Sequence, residues 1–227
     1  MPSSSKPCDR SGRDDATRVP RGERAGRRTG DSISSMASRA GGLPAVLLTG
    51  WPASGKSTVG GLVATRLDAA LVDQDTLTGP LVAVVADLVG VDDLDDIRLA
   101  APTRDARYES VTAVAEENLR VGRPVVLVAP FSRERRDRQA REALDGRLRA
   151  AGGSPLLVWL RLDPEVMIQR LQSRGAERDL AKFADPASFL ARLDVAAPVG
   201  PHVVVDAERP PAEIADEIVT AVRANQA

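Results

Sequence analysis

One cysteine, one histidine and no excess of charge of either sign are what this 227-residue chain offers first. Cys8 on its own cannot close an internal disulfide, so the fold needs no oxidising compartment, and a cytoplasmic location is expected. His202 alone cannot build an imidazole-based metal centre, which takes several ligands, and a structural role at a strand edge is expected of it. The balance of 31 basic against 32 acidic residues gives no electrostatic reason to expect a nucleic acid or an anionic membrane as partner. No apolar run approaches the roughly 20 residues that span a bilayer, and the N-terminus has no hydrophobic core of a signal peptide. Internal repeats and coiled-coil heptads are also missing. What remains is a chain of the right length for one α/β domain, acting on small molecules as a monomer or homodimer.

Residues 1–42 hold nine basic and five acidic residues among Ser, Gly and Arg, with almost no aliphatic side chains. Such a segment cannot bury enough apolar surface to offset its chain entropy, so it is expected to be a disordered tail. It reads either as a basic arm or as an inert leader upstream of a start at Met36. From residue 43 to 227 short aliphatic runs alternate with helical stretches, the pattern of βαβ units around a parallel sheet. Residues 45–49, 70–72, 125–129, 156–160 and 203–205 are rich in Val, Leu and Ala without polar alternation, as strands covered on both faces are. Helices are expected over 56–67, 103–121, 134–150, 164–173 and 211–224. Asp163 followed by Pro164 is an N-cap with proline at the first helical position.

The first run leads into Gly50-Trp51-Pro52-Ala53-Ser54-Gly55-Lys56-Ser57-Thr58, a GxxxxGK[ST] loop between a strand and a helix. The glycines let successive main-chain N–H groups turn toward phosphate oxygens, and the helix N-terminus adds about half a positive charge. In this pattern Lys56 reaches the β and γ phosphates of ATP, Ser57 supplies a hydroxyl to Mg2+, and Thr58 lies where the α phosphate is commonly met. Gly50, Ala53, Ser54 and Gly55 form the cradle itself. The guanine-binding Asn-Lys-x-Asp, the transporter Leu-Ser-Gly-Gly and a strand ending in Asp-Glu are all missing. These absences argue against GTPases, transporters and motor ATPases.

After the second run comes Asp73-Gln74-Asp75-Thr76-Leu77, a carboxylate pair at the carboxyl edge of a strand, where open α/β sheets bind ligands. With the phosphate loop, this pair resembles the P-loop small-molecule kinases, the group of shikimate kinase, gluconate kinase and chloramphenicol phosphotransferase, within the AAA-domain type of kinase-like ATP-binding protein. The resemblance covers most of residues 45–222. It implies a P-loop kinase-like fold, a five-stranded parallel sheet flanked by helices, with a substrate insert at about 77–122 and a lid at about 174–186. It implies Asp73 on the magnesium side and Asp75 as the base facing the acceptor hydroxyl. A plain alternative is that one of the two aspartates caps the helix that follows.

Arg170-Leu171-Gln172-Ser173-Arg174-Gly175-Ala176-Glu177-Arg178 is similar to the arginine-bearing lid of the same kinases. Arg170 and Arg174 are four apart and share a helix face, and Gly175 marks a helix end beyond which Arg178 can reach the nucleotide. On that reading Arg170 touches nucleotide while Arg174 and Arg178 neutralise charge on the phosphoryl group. The alternative is a solvated, locally paired helix end. Residues 206–210 resemble the turn that passes the adenine. Arg104, Arg107 and Tyr108, with residues 131–133, are candidates for the acceptor wall or an ordinary helix face. The acceptor is expected to be a sugar acid, cyclitol, nucleoside or antibiotic-like alcohol. An acceptor-free regulatory ATPase and a nucleotide kinase stand as the other readings.

Overall fold

The computed structural model describes residues 41–91, 96–174 and 196–226. All but the last two residues of the expected tail, the lid beyond Arg174, and Arg178 lie outside the described residues. Each of the five aliphatic runs is a strand: β1 Leu43–Gly50, β2 Ala70–Asp73, β3 Val125–Val128, β4 Gly153–Arg161 and β5 Val203–Asp206. They form one parallel sheet in the order β2-β3-β1-β4-β5, with β1 at its centre. Ala45 and Leu47 of β1 lie opposite Val125 and Leu127 of β3, while Leu43 lies opposite Gly153 of β4.

The alternation of side chains along these strands divides the core into two layers. Val46, Leu48, Val126, Val128, Val158 and Leu160 join a cluster on one face, and Ala45, Leu47, Val125, Leu127 and Leu157 join a cluster on the other. Both sets are apolar because both faces of the sheet are covered. The first layer is closed by α1 Lys56–Leu67, α5 Pro164–Arg174 and α6 Pro211–Asn225, through Val63, Leu171 and Ile218 among others. The second is closed by α3 Ile97–Arg120 and α4 Arg138–Ala150, through Val111, Leu119 and Leu148.

Two helices occupy the segment read as a substrate insert. The first, α2 Gln74–Val89, begins directly at the end of β2 and packs Val82 and Ala86 against Leu99 of α3 in a small core of its own. The second, α3, starts at Ile97 rather than 103, because Asp96 caps it with its carboxylate on the main-chain N–H of Arg98 at 2.8 Å. Pro102 lies inside this helix, where a proline removes one hydrogen bond without ending the helix. In the other direction, α4 begins four residues later than the spacing predicts. Residues 133–137 turn first, with Arg136 and Asp137 N–H both on the Arg133 carbonyl, and Asp137 then caps the helix at Gln139.

Candidate nucleotide and acceptor site

The loop between β1 and α1 owes its shape to two glycines with different duties. Gly50 is required by close approach: a Cβ there would stand 2.6 Å from Ser54 Oγ and 2.8 Å from the Leu160 carbonyl. Gly55 is required by conformation, since it caps α1 at φ 82°, a left-handed angle that β-carbons resist. Ala53 is left-handed as well, at φ 57°. Such a pair of left-handed residues in a loop turns consecutive N–H groups to one side, and the first-turn N–H groups of α1 have no intrahelical acceptor. The result is an anion cradle opening at the carboxyl end of the sheet.

Lys56 reaches back over this cradle. Its Nζ donates to the carbonyls of Gly50 at 3.0 Å and Trp51 at 2.7 Å. Loss of hydration lowers its pKa to about 8, with Asp75 and Asp73 acting against that fall and Arg135 and Arg174 adding to it. A polyphosphate in the cradle would supply negative charge beside this ammonium and raise its pKa again.

Ser57 Oγ donates to Asp73 Oδ2 at 2.7 Å, joining α1 to the end of β2. The other oxygen of the same carboxylate, Oδ1, accepts from the N–H groups of Asp75 at 2.9 Å and Thr76 at 3.3 Å. Asp73 is therefore the N-cap of α2, as the plain alternative has it, and still leaves Oδ2 beside the hydroxyl read as a metal ligand. Among the described residues no three His, Cys, Asp or Glu side chains gather as a metal cage. A hydroxyl and a carboxylate side by side suit Mg2+, which keeps most of its waters and takes its remaining ligands from phosphate.

Asp75 stands two residues on, its side chain 69% exposed, with Oδ1 paired to Arg107 Nη2 of α3 at 2.8 Å. Arg107 Nε donates to Thr78 Oγ1 at 3.1 Å, so the guanidinium is held by two groups of α2. Arg104, one turn earlier, donates to Ser132 Oγ at 3.1 Å and lies 5.8 Å from the Tyr108 ring centre. Tyr108 in turn packs against Phe131, a buried side chain whose backbone is left-handed at φ 44°. A bulky residue in that region is uncommon and clusters at functional sites. The residues named for the acceptor wall thus do come together, as the end of β3 meets one face of α3.

Across the cradle, Arg170 of α5 donates to the carbonyls of Ala207 at 3.0 Å and Ala53 at 3.5 Å, bracing the loop against the turn after β5. His202 Nδ1 lies 2.9 Å from the Gly200 carbonyl with the ring edge-on to Trp159, the structural position expected of it. A cavity of about 900 Å³ runs from Gly50 and Lys56 past Asp73 and Asp75 to Arg107, and Arg170 and Arg174 line it as well. Two of its neighbours were not singled out by the sequence reading. Gln74, between the two aspartates, is 4% exposed, and Arg135, 5% exposed, lies over the Trp159 ring at 5.9 Å and reaches Lys56 through its charge. Neither has a motif. Gln74 becomes visible only once 74–89 is known to be a helix whose buried face repeats at Gln74, Thr78 and Val82.

A sequence model of the AAA domain matches residues 46–199, which take in the phosphate loop, the carboxylate pair and α5. This chain belongs to the AAA domain family. Solved structures similar to this AAA-domain chain include a gluconokinase from Sinorhizobium meliloti 1021, with 23% identity over 80% of this chain and 92% of that one and a TM-score of 0.52. A sugar kinase from Janibacter sp. HTCC2649 has 20% identity over 78% and 93% of the two chains, TM-score 0.52. The APS kinase of Mycobacterium tuberculosis, in complex with AMPPNP and APS, has 19% identity over 81% and 99%, TM-score 0.55. At these identities the likeness is one of fold, and the fold is the P-loop kinase-like one. No curated protein matches the chain. No helix among the described residues of this AAA-domain protein is long and apolar enough to cross a membrane.

Proposed function

We propose that this AAA-domain protein is an ATP-dependent kinase that transfers the γ-phosphoryl group to a hydroxyl of a small molecule. One observation supports it most: across a single cavity, the Lys56–Ser57 cradle faces two carboxylates that differ in their partners. Asp73 is bound to Ser57, and Asp75 to a guanidinium of the acceptor wall. A nucleotide-binding module without an acceptor has use for the first carboxylate only.

Phosphoryl transfer asks the protein to position and to neutralise more than to form bonds. Lys56, drawn from its carbonyls to the β and γ phosphates, fixes the leaving end. Ser57 and, directly or through water, Asp73 would hold Mg2+, which when bound would draw charge from the phosphate oxygens. Asp75 uses Oδ2, the oxygen not paired with Arg107, to accept the proton of the acceptor hydroxyl. As the acceptor oxygen forms its bond to γ-phosphorus the bond to the β–γ bridging oxygen breaks, the hydroxyl proton passes late to Asp75, and ADP leaves. Arg174, with Arg178 beyond it in sequence, is assigned to the equatorial oxygens. The kinases among the solved structures of this fold are consistent with the assignment, and the cytoplasm suits a protein that draws on cellular ATP.

The test is ATP consumption with D-gluconate, shikimate, myo-inositol, adenosine and chloramphenicol in turn, each against a no-acceptor control. Acceptor-dependent ADP release with a phosphorylated product carries the reading. Equal ADP release with and without every acceptor overturns it in favour of a regulatory ATPase.

A further inference from the structure

Beside the proposed base, Gln74 is a buried polar side chain that lines the cavity with its hydrogen bonding left incomplete among the described residues. It is 4% exposed, it lines the cavity, and its Nε2 has no hydrogen-bond partner among the described residues. Its neighbours are otherwise satisfied: Asp73 holds Ser57 and two main-chain N–H groups, Asp75 holds Arg107, and Thr78 donates to the Gln74 carbonyl at 2.7 Å while accepting from Arg107. A buried amide left unpaired is costly, and an apolar residue of like shape in its place would be neutral or stabilising. Folding alone does not call for Gln at this position.

The backbone fixes where this amide stands. Gln74 is the first residue of α2, at the carboxyl edge of β2, between the residue assigned to magnesium and the residue assigned to the acceptor hydroxyl. Its buried face is the one that α2 turns toward α3, the same face that carries Thr78 to Arg107. Gln74 and Asp75 line the same cavity, so an acceptor with its hydroxyl at Asp75 shares that space with Gln74.

We infer that Gln74 is an acceptor-recognition residue, whose carboxamide hydrogen-bonds a second oxygen of the acceptor beside the one that is phosphorylated. The acceptor class this selects is a polyol or hydroxy acid with adjacent oxygens, rather than an isolated alcohol. The inference rests on the kinase reading above and sharpens its substrate class. The amide works on binding and registration. It takes no proton, so its loss falls on acceptor KM more than on kcat or on ATP.

The experiment compares wild type with Gln74→Met, close in shape and unable to hydrogen-bond, and with Gln74→Glu. Thermal midpoint, affinity for a non-hydrolysable ATP analogue, and acceptor KM and kcat are measured, using whichever of D-gluconate, shikimate, myo-inositol, adenosine and chloramphenicol is turned over. Thermal shift by the same five compounds in the presence of the analogue is read in parallel. Gln74→Met is expected to keep or raise the thermal midpoint, hold analogue affinity within about twofold, and raise acceptor KM by about tenfold, the worth of one neutral hydrogen bond. Unchanged KM in Gln74→Met with a wild type that transfers phosphate overturns this inference and leaves the kinase reading standing. A fall in midpoint with an equal loss of analogue affinity overturns it too, as the mark of a merely structural residue. If wild type neither transfers to nor is stabilised by any of the five compounds, the acceptor site is refuted and this inference with it.

Discussion

Asp73 makes two sets of contacts, and a pair of substitutions separates the observed cap from the proposed metal role. Its Oδ1 caps α2 through the N–H groups of Asp75 and Thr76, and its Oδ2 accepts from Ser57. Asp73→Asn keeps an oxygen in the Oδ1 position, and Asn is as good an N-cap as Asp. It loses only the attraction of a negative charge to the helix N-terminus, about 0.3–1 kcal/mol at an exposed site. Asp73→Ala loses that charge and the cap as well, a further cost of about 0.5–2 kcal/mol. Ser57 is exposed and turns its hydroxyl to water in either variant, so it adds little to the difference. Urea denaturation at neutral pH should then place Asn near wild type and Ala about 1 kcal/mol below Asn, with unchanged m-values. The metal readout should order them differently. Both variants lack the carboxylate beside Ser57, so both should need at least about tenfold more Mg2+ for half-maximal binding of ATP, the loss typical of removing a partner of a metal ligand. If Asn is as unstable as Ala, the cap is not what Oδ1 supplies. If the magnesium requirement is unchanged in both, Asp73 is a cap and nothing more, and the metal role falls.

Three further expectations follow from the same geometry. Lys56→Ala removes a side chain that the free protein spends only on two carbonyls, so the thermal midpoint should hold while phosphoryl transfer falls below detection; wild-type turnover in that variant would sink the phosphate-loop assignment. Asp75→Asn keeps shape and can still meet Arg107, so nucleotide affinity should stay within about twofold while transfer drops by roughly 10²-fold or more, the usual share of a general base; equal rates in a coupled assay would refute the base. Arg147 of α4 binds Glu109 at 2.6 and 2.8 Å and Glu116 at 2.6 Å, both on α3, and its hydrogen bonds hold both carboxyls below their ordinary pKa. Carboxyls depressed in the folded state stabilise it above the unfolded pKa of roughly 4.3 and stop doing so as pH falls through the lower folded values. Arg147→Met should therefore be less stable than wild type at pH 7, with the gap closing below about pH 4; a gap that persists in denaturation at pH 3 would show that the arginine stem, not its charge, is what stabilises.

The existence of the five strands was legible because parallel strands covered on both faces are apolar without polar alternation, while their order β2-β3-β1-β4-β5 was decided by the fold. The phosphate loop was equally legible from its residue pattern, and the structure gives the reason for its glycines: close approach of Leu160 and Ser54 at Gly50, and a left-handed backbone at Gly55. The carboxylate pair was half legible: residue type and strand end marked Asp73 and Asp75, while their different partners, Ser57 and the α2 cap for Asp73 and Arg107 for Asp75, required the neighbours contributed by α1 and α3. Helix α2 escaped because its outer face is apolar and exposed at Leu77, Leu81, Val84 and Leu88, so no polar and apolar stripes alternate along it. The start of α3 was hidden by Pro102, which usually marks a helix boundary and here lies within one. Sequence by itself determined the local, short-range features: strand composition, the turn chemistry of the loop, the caps at Asp163 and the carboxylates at a strand edge. Tertiary structure alone decided which side chains converge from elements far apart in the chain. Arg107 reaches Asp75 from 32 residues away, and Gln74 is buried without a partner because β2, α2 and α3 meet there. Such meetings are set by how helices pack on the sheet, and nothing in the spacing of residues along one element encodes them.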